Sequence, residues 1–213
     1  FNINNNQIFN NLSNGIALYN CGGSIGEHSI ANNLIQFNLP EGSYGDKTKP
    51  SGIRIYSSIA EVINNKITNN TNGIVCLNNS TVQLTGNEEA QTTDETQLIK
   101  DNQFNQVFAT DNSFPYKFKY NAIYNTASEH YPILEVAYTE PLPKTFDVAY
   151  NYWGSYFDPQ YDFMPAGAFR YDPIWELHES AGGEEEAATM FDNAQQQINN
   201  GNYAIAESTL KQI

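Results

Sequence analysis

The chain has 213 residues, enough for one domain and a small extra element. It carries 24 acidic against 10 basic side chains, a formal charge of −14. That balance leaves no electrostatic footprint for nucleic acid and sets the chain against anionic membranes. An anionic polysaccharide fits only where Ca²⁺ bridges the charges. No apolar run approaches the ~20 residues of a membrane span.

Taken in order, the chain opens at Phe1 inside a repeat and without Met, so it reads as part of a longer protein whose targeting signals are out of view. One pattern recurs: apolar, two residues, Asn, one residue, apolar. Ile3, Asn6 and Ile8 fit it, as do Ile30, Asn33 and Ile35; Val62, Asn65 and Ile67; Ile99, Asn102 and Phe104; Phe118, Asn121 and Ile123; and Val148, Asn151 and Trp153. A second pulse follows some copies, as Gly15-Ile16-Ala17-Leu18, Gly52-Ile53-Arg54-Ile55 and Gly73-Ile74-Val75-Cys76. The pulses are short and often β-branched, and the spacers are Asn, Ser, Thr and Gly, which is strand-and-turn chemistry. The steps between aligned asparagines run 27, 32, 37, 19 and 30 residues. The shortest is about one turn of a coil of three strands, and the longer ones hold polar inserts at 38–51, 86–97 and 127–145.

Strand-only units with a repeated corner asparagine resemble the right-handed parallel β-helix repeat family, which includes pectate-lyase-like folds. The resemblance covers roughly residues 1–153. It implies an all-β, right-handed parallel β-helix over 1–154, with coils about 4.8 Å apart, inward aliphatic stacks and an Asn ladder of Asn6, Asn33, Asn65, Asn102, Asn121 and Asn151. Each ladder Asn is expected in a left-handed corner. An ordinary β-sandwich with Asn-rich turns is the blander alternative. The scaffold implies no single activity, since it carries lyases, hydrolases, adhesins and surface fibres alike.

After Asn151-Tyr152-Trp153-Gly154 the repeat stops, and 155–176 is rich in Pro and aromatic residues. This is the expected C-terminal cap, because an open end of a coil stack exposes strand edges and core. Residues 177–213 change to helical spacing: Glu184-Glu185-Glu186 favours a helix start, and Ala188, Phe191, Ala194 and Ile198 share a face. Gly201-Asn202-Tyr203 with Ala206 resembles one tetratricopeptide-type hairpin, which lacks the large aromatic expected early in its first helix.

Chemistry is sparse. Gly22-Gly23-Ser24-Ile25-Gly26 with Ser51-Gly52-Ile53-Arg54-Ile55-Tyr56 resembles the last two motifs of polygalacturonase-type hydrolases. The His is absent, Tyr56 stands where Lys belongs, and no Asp-Asp pair precedes them, while glycoside hydrolysis needs two carboxylates. The chain is therefore not expected to be an enzyme. His28, His130 and His178 are scattered and read as solvated loop residues. Asp158, Asp162 and Asp172 could ligate Ca²⁺ or merely cap turns; no other cofactor is implied. Of 28 aromatic residues, 20 lie between Phe104 and Trp175. Among them Tyr120, Tyr150 and Tyr152, together with Arg54, form a candidate ligand surface for sugars, against the alternative that the rings stack coil on coil. Cys76 reads as a small buried hydrophobe, and a Cys21–Cys76 disulfide is unfavoured because the two fall in separate coils. The sequons at Asn11, Asn69, Asn78 and Asn79 arise from Asn-rich turns and imply no glycosylation.

Two functional expectations follow. The first is a non-enzymatic, secreted or cell-surface segment, acting as spacer, adhesin or fibre subunit through self-association or surface assembly. The second is a carbohydrate-binding or polysaccharide-degrading protein with its site on a coil face. A third possibility is partner recruitment by the helical tail.

Overall fold

The computed structural model describes residues 1–39, 50–110, 112–126, 131–137 and 145–177. The helical hairpin expected over 177–213 lies outside them from residue 178 on. The described strands are short, as the pulses dictate. In chain order they are β1 (Asn2–Asn4), β2 (Gln7–Phe9), β3 (Ile16–Tyr19), β4 (Ser29–Ala31), β5 (Leu34–Gln36), β6 (Ile53–Tyr56), β7 (Ile59–Ile63), β8 (Lys66–Thr68), β9 (Ile74–Leu77), β10 (Thr81–Thr85), β11 (Gln97–Lys100), β12 (Val107–Thr110), β13 (Lys117–Lys119), β14 (Asn121–Tyr124), β15 (Leu134–Ala137) and β16 (Phe146–Asp147). The one-turn helix α1 (Pro159–Asp162), β17 (Phe163–Met164) and β18 (Phe169–Arg170) follow.

All the strand pairings described are parallel, in three larger sheets. Sheet A runs β1-β4-β7-β10-β13, sheet B β2-β5-β8-β11-β14, and sheet C β3-β6-β9-β12-β15-β17. The chain visits A, B and C in turn, and each circuit adds one strand to each sheet. Identical registers repeat down the stack: in sheet C, Ile16 faces Ile53, then Ile74, Val107, Leu134 and Phe163. Sheet B aligns Ile8, Ile35, Ile67, Ile99 and Ile123 in the same way. Alternation puts one face of every strand inward, so these columns merge into one buried core. Full burial of each such side chain is worth about 1.5–3 kcal/mol.

Three polar ladders bind the corners. At the A–B corner the N–H and side-chain NH₂ of Asn6 donate to Oδ1 of Asn33, at 2.9 and 3.0 Å. Asn33 does the same to Asn65, and Asn121 to Asn151. At the B–C corner Asn11, Asn38, Asn70 and Asn102 form a second ladder with the same geometry. At the C–A corner the N–H groups of Cys21, Ser58 and Ser80 donate to Oγ of Ser58, Ser80 and Ser113.

Two sequence expectations are corrected here. Asn102 belongs to the second ladder, not the first, and the first ladder's rung in that coil is Gln97, which accepts from Asn65. The left-handed residue is also not the ladder Asn but the one before it: Asn5, Asn32, Asn64, Tyr120 and Tyr150 at the A–B corner, and Asn10, Phe37, Asn69 and Asp101 at the B–C corner. The positive φ turns the chain, and that turn aims the next residue's N–H and side chain along the stack.

The stretch 155–177 adds strands to the stack. β17 joins sheet C beside β15, and β18 pairs with β16. Trp153, Phe157 and Phe163 pack with centroids 4.9–5.6 Å apart, and Phe169 lies 4.9 Å from Phe163. These rings continue the buried core beyond β15.

Candidate functional site

The A–B corner gathers most of the residues singled out as a ligand surface. Tyr120 and Tyr150 each precede a ladder Asn, so parallel stacking sets their rings one coil apart with centroids at 6.2 Å. Trp175 meets Tyr120 edge-on at 5.6 Å, and the Lys119 ammonium sits 5.0 Å from the Tyr150 ring centre. Tyr150 is 41% exposed. Burial first, then the Glu88 charge, Tyr150 and a hydrogen bond with Glu88 push the Tyr120 phenol above its ordinary value.

Both tyrosines hold left-handed backbones, φ 59° and 60°, where the first three coils use asparagine. That conformation costs a side chain such as tyrosine about 1 kcal/mol or more, and less for Asn. Tyr152 lies next to them on the outer face of sheet B. Its ring meets Tyr124 edge-on at 5.8 Å, and it packs with Trp175 on the cluster of Ala90, Leu98, Ala122 and Leu177. Lys119, Glu88 and Trp175 were not read from the sequence as part of this surface. Glu88 falls in an insert and Trp175 in the cap, so only the three-dimensional register brings them in.

Arg54 is elsewhere. It lies on sheet C between Ala17 and Val75, is 4% exposed, and its guanidinium stands 5.9 Å from the Tyr19 ring centre. Its neighbours on the outer face of that sheet include Val75, Leu77 and Phe108, which form their own buried cluster. Arg54 and the three tyrosines therefore do not share one surface.

Asp158 and Asp162 hold the turn of α1. Asp158 caps α1, its Oδ1 accepting the Gln160 N–H at 3.0 Å, and Asp162 Oδ2 accepts the Asp158 N–H at 2.7 Å. Asp172 is exposed beyond β18. No group of three or more His, Cys, Asp or Glu side chains converges among the described residues. Other acids are likewise engaged locally: Asp94 pairs with Lys66 at 3.1 Å, Asp147 with Arg170, and Asp101 accepts from Thr126.

Both cysteines are free thiols. Cys76 is fully buried in the core beside Ile55 and Ala109, and burial pushes its thiol up to about 12. Cys21 is half-buried at the head of the Ser ladder. His28 is half-buried as well: it stacks on Phe1 at 4.3 Å and its Nε2 is 2.7 Å from the Gly22 carbonyl. His130 and His178 lie outside the described residues. The chain matches no family model, no curated protein and no solved structure.

Proposed function

We propose that the chain is a right-handed parallel β-helix and that it serves as a non-enzymatic segment of a secreted or cell-surface protein, as spacer, adhesin or fibre subunit. The observation that carries this reading is the run of corner ladders through successive coils. Asn6 through Asn65 to Gln97, Asn11 through Asn102, and Cys21 through Ser113 commit the corner polar groups to holding coil on coil. Such a stack resists shear and bending in one direction of growth, which is what a spacer or fibre needs. The acidic charge of −14 keeps it soluble beside like-charged surfaces. The test is size-exclusion chromatography with light scattering and negative-stain imaging of the native full-length material. Filaments or large regular oligomers support the reading; a monomer at all concentrations moves it to the second one.

The second reading is carbohydrate binding at the Tyr120–Tyr150–Trp175 surface, favoured by two tyrosines kept at backbone positions that suit asparagine better. Strained backbone positions cluster at ligand sites, and an exposed phenol ring offers a sugar a flat face. A glycan screen with and without Ca²⁺ tests it, with Tyr150→Asn as the key variant. Asn is the residue other coils use there, so the fold is kept. Binding that survives the change sinks this reading.

A further inference from the structure

Parallel register sets residue on residue, and at the A–B corner it sets Tyr120 on Tyr150. Their ring centroids lie 6.2 Å apart at an interplanar angle of 47°. The backbone fixes this pairing. The Tyr120 N–H donates to the Tyr150 carbonyl at 2.7 Å, and in the next residue the N–H and NH₂ of Asn121 both donate to Oδ1 of Asn151. The Tyr150 N–H donates in turn to the Pro173 carbonyl at 2.7 Å. Neither ring can slide along the stack without breaking those bonds. Tyr150 is 41% exposed and Tyr120 half-buried, so solvent reaches both residues. The Tyr120 hydroxyl also donates to Glu88, a carboxylate placed to take its proton.

We propose that Tyr120 and Tyr150 form a site of oxidative modification, where a haem peroxidase acting with hydrogen peroxide joins them into an intramolecular dityrosine. Each phenol gives up one electron and one proton, the Tyr120 proton passing first to Glu88. The two phenoxyl radicals then form a carbon–carbon bond between their ortho ring carbons. The hydrogens on those carbons shift to the oxygens and restore both phenols. The pair has lost two hydrogens in all, and one hydrogen peroxide is reduced to two waters. Position selects this pair, since a neighbour already held in place outcompetes a partner that must arrive by diffusion. Tyr116, Tyr156 and Tyr161 are more exposed, at 59%, 72% and 75%, but none has a tyrosine ring beside it among the described residues. Tyr124 and Tyr152 meet edge-on at 80°, and Tyr124 is only 4% exposed, which screens it from an oxidant at the surface. Tyr19 and Tyr56 stack on sheet C at 5.7 Å, and what sets Tyr120 apart from them is the Glu88 carboxylate on its hydroxyl.

The test treats the full chain, at micromolar concentration, with a haem peroxidase and hydrogen peroxide, and follows dityrosine fluorescence and intact mass. The expected product is a single chain lighter by two hydrogens, whose proteolytic fragments join the Tyr120 segment to the Tyr150 segment. Y120F and Y150F keep the ring and remove the phenol, and each should abolish that crosslink, with circular dichroism checking the fold. Y156F should leave it unchanged. Unfolding the chain in urea before oxidation should abolish it too, because the register that pairs the rings is then gone. Absence of the crosslink in the folded chain, or its survival in Y150F or in urea, overturns the proposal. So does a product made mainly of crosslinked dimers, or one coupled first at Tyr19 and Tyr56. No sugar and no cell surface enters the experiment, so its failure leaves both readings under the proposed function standing.

Discussion

Asn65 ties three coils together with one side chain. Its Oδ1 accepts from Asn33, its NH₂ donates to the carbonyls of Ile30 and Ile63, and its N–H donates to Gln97. It is fully buried, so each partner it abandons stays unpaired in a low dielectric. Asn65→Ala should therefore cost about 3 kcal/mol in denaturant unfolding, while Asn6→Ala at the exposed head should cost under about 1 kcal/mol. Equal losses would mean the ladders are ornament on a core that stands without them. Tyr120 gives the pH test at this scale. Its phenol is raised above the ordinary 10 by burial, Glu88 and Tyr150. The folded state thus favours the protonated ring. That stability is whole below the ordinary value and is lost as the pH climbs from there through the raised one. Tyr120→Phe should flatten the alkaline limb of a melting-temperature profile; an unchanged limb would place the alkaline sensitivity elsewhere. The two thiols divide in the same spirit. Cys21 should alkylate in the native protein, and Cys76 only after unfolding, because burial holds its thiol up to about 12.

At the scale of the element, the close approach of coils can be tested at Gly73, which precedes β9. A Cβ there would meet the Gln106 carbonyl oxygen at 2.3 Å and Ile99 Cγ2 at 2.7 Å. Gly22, in the turn after β3, has nothing within 4 Å of a Cβ. Gly73→Ala should lose about 2 kcal/mol or more, and Gly22→Ala should be near neutral in the same assay. The strands themselves were legible because each pulse is β-branched and bounded by turn residues, and the Gly-Ile pulses do stack as one column of sheet C. The ladder register was misread for a definite reason. Both corners follow an inward apolar residue by three positions: Ile30 then Asn33 at one, Ile67 then Asn70 at the other. Only the next inward residue separates them, and Phe104 after Asn102 imitates it. In the fourth coil the A–B spacing puts Asn87 where the rung should be, but the insert through the short 3₁₀ turn Thr93–Glu95 displaces it. Gln97 takes the rung with one extra methylene, its preceding residue Thr96 lying in extended backbone. Gln106 does the same beneath Asn102, accepting from its N–H and passing a hydrogen bond to Asn125. The serine ladder was missed because one serine per coil is a weak signal without the register. The tyrosine surface was half legible: its rings were visible as a cluster, but Trp175 and Glu88 reach it from segments with no periodic relation to it.

In the 213-residue polypeptide the first and last described strands of the stack are held differently, and this difference should govern how that polypeptide opens. Stability in a stack of this kind is close to a sum of coil terms and neighbour terms, so an end coil with one neighbour is the first to open. β1, β2 and β3 have one neighbour each, and Ile3 and Ile8 are only partly buried. At the other end Trp153, Phe163 and Phe169 are nearly inaccessible and the rings pack within about 5 Å. One internal fault interrupts the sequence of rungs: Gln97 Nε2 and Asn121 Oδ1 are both buried without a partner, between β11 and β14. Donor and acceptor stand on paired strands there without a bond, so the A–B ladder lacks a rung between these two coils. Hydrogen exchange followed by mass spectrometry should therefore show the least protection in peptides spanning β1–β3. It should show the most in β5–β9, and a modest dip near β11 and β14, with the aromatic end slower than the open end. Uniform exchange along the stack would instead mean that all coils open together and that the end terms are too small to matter.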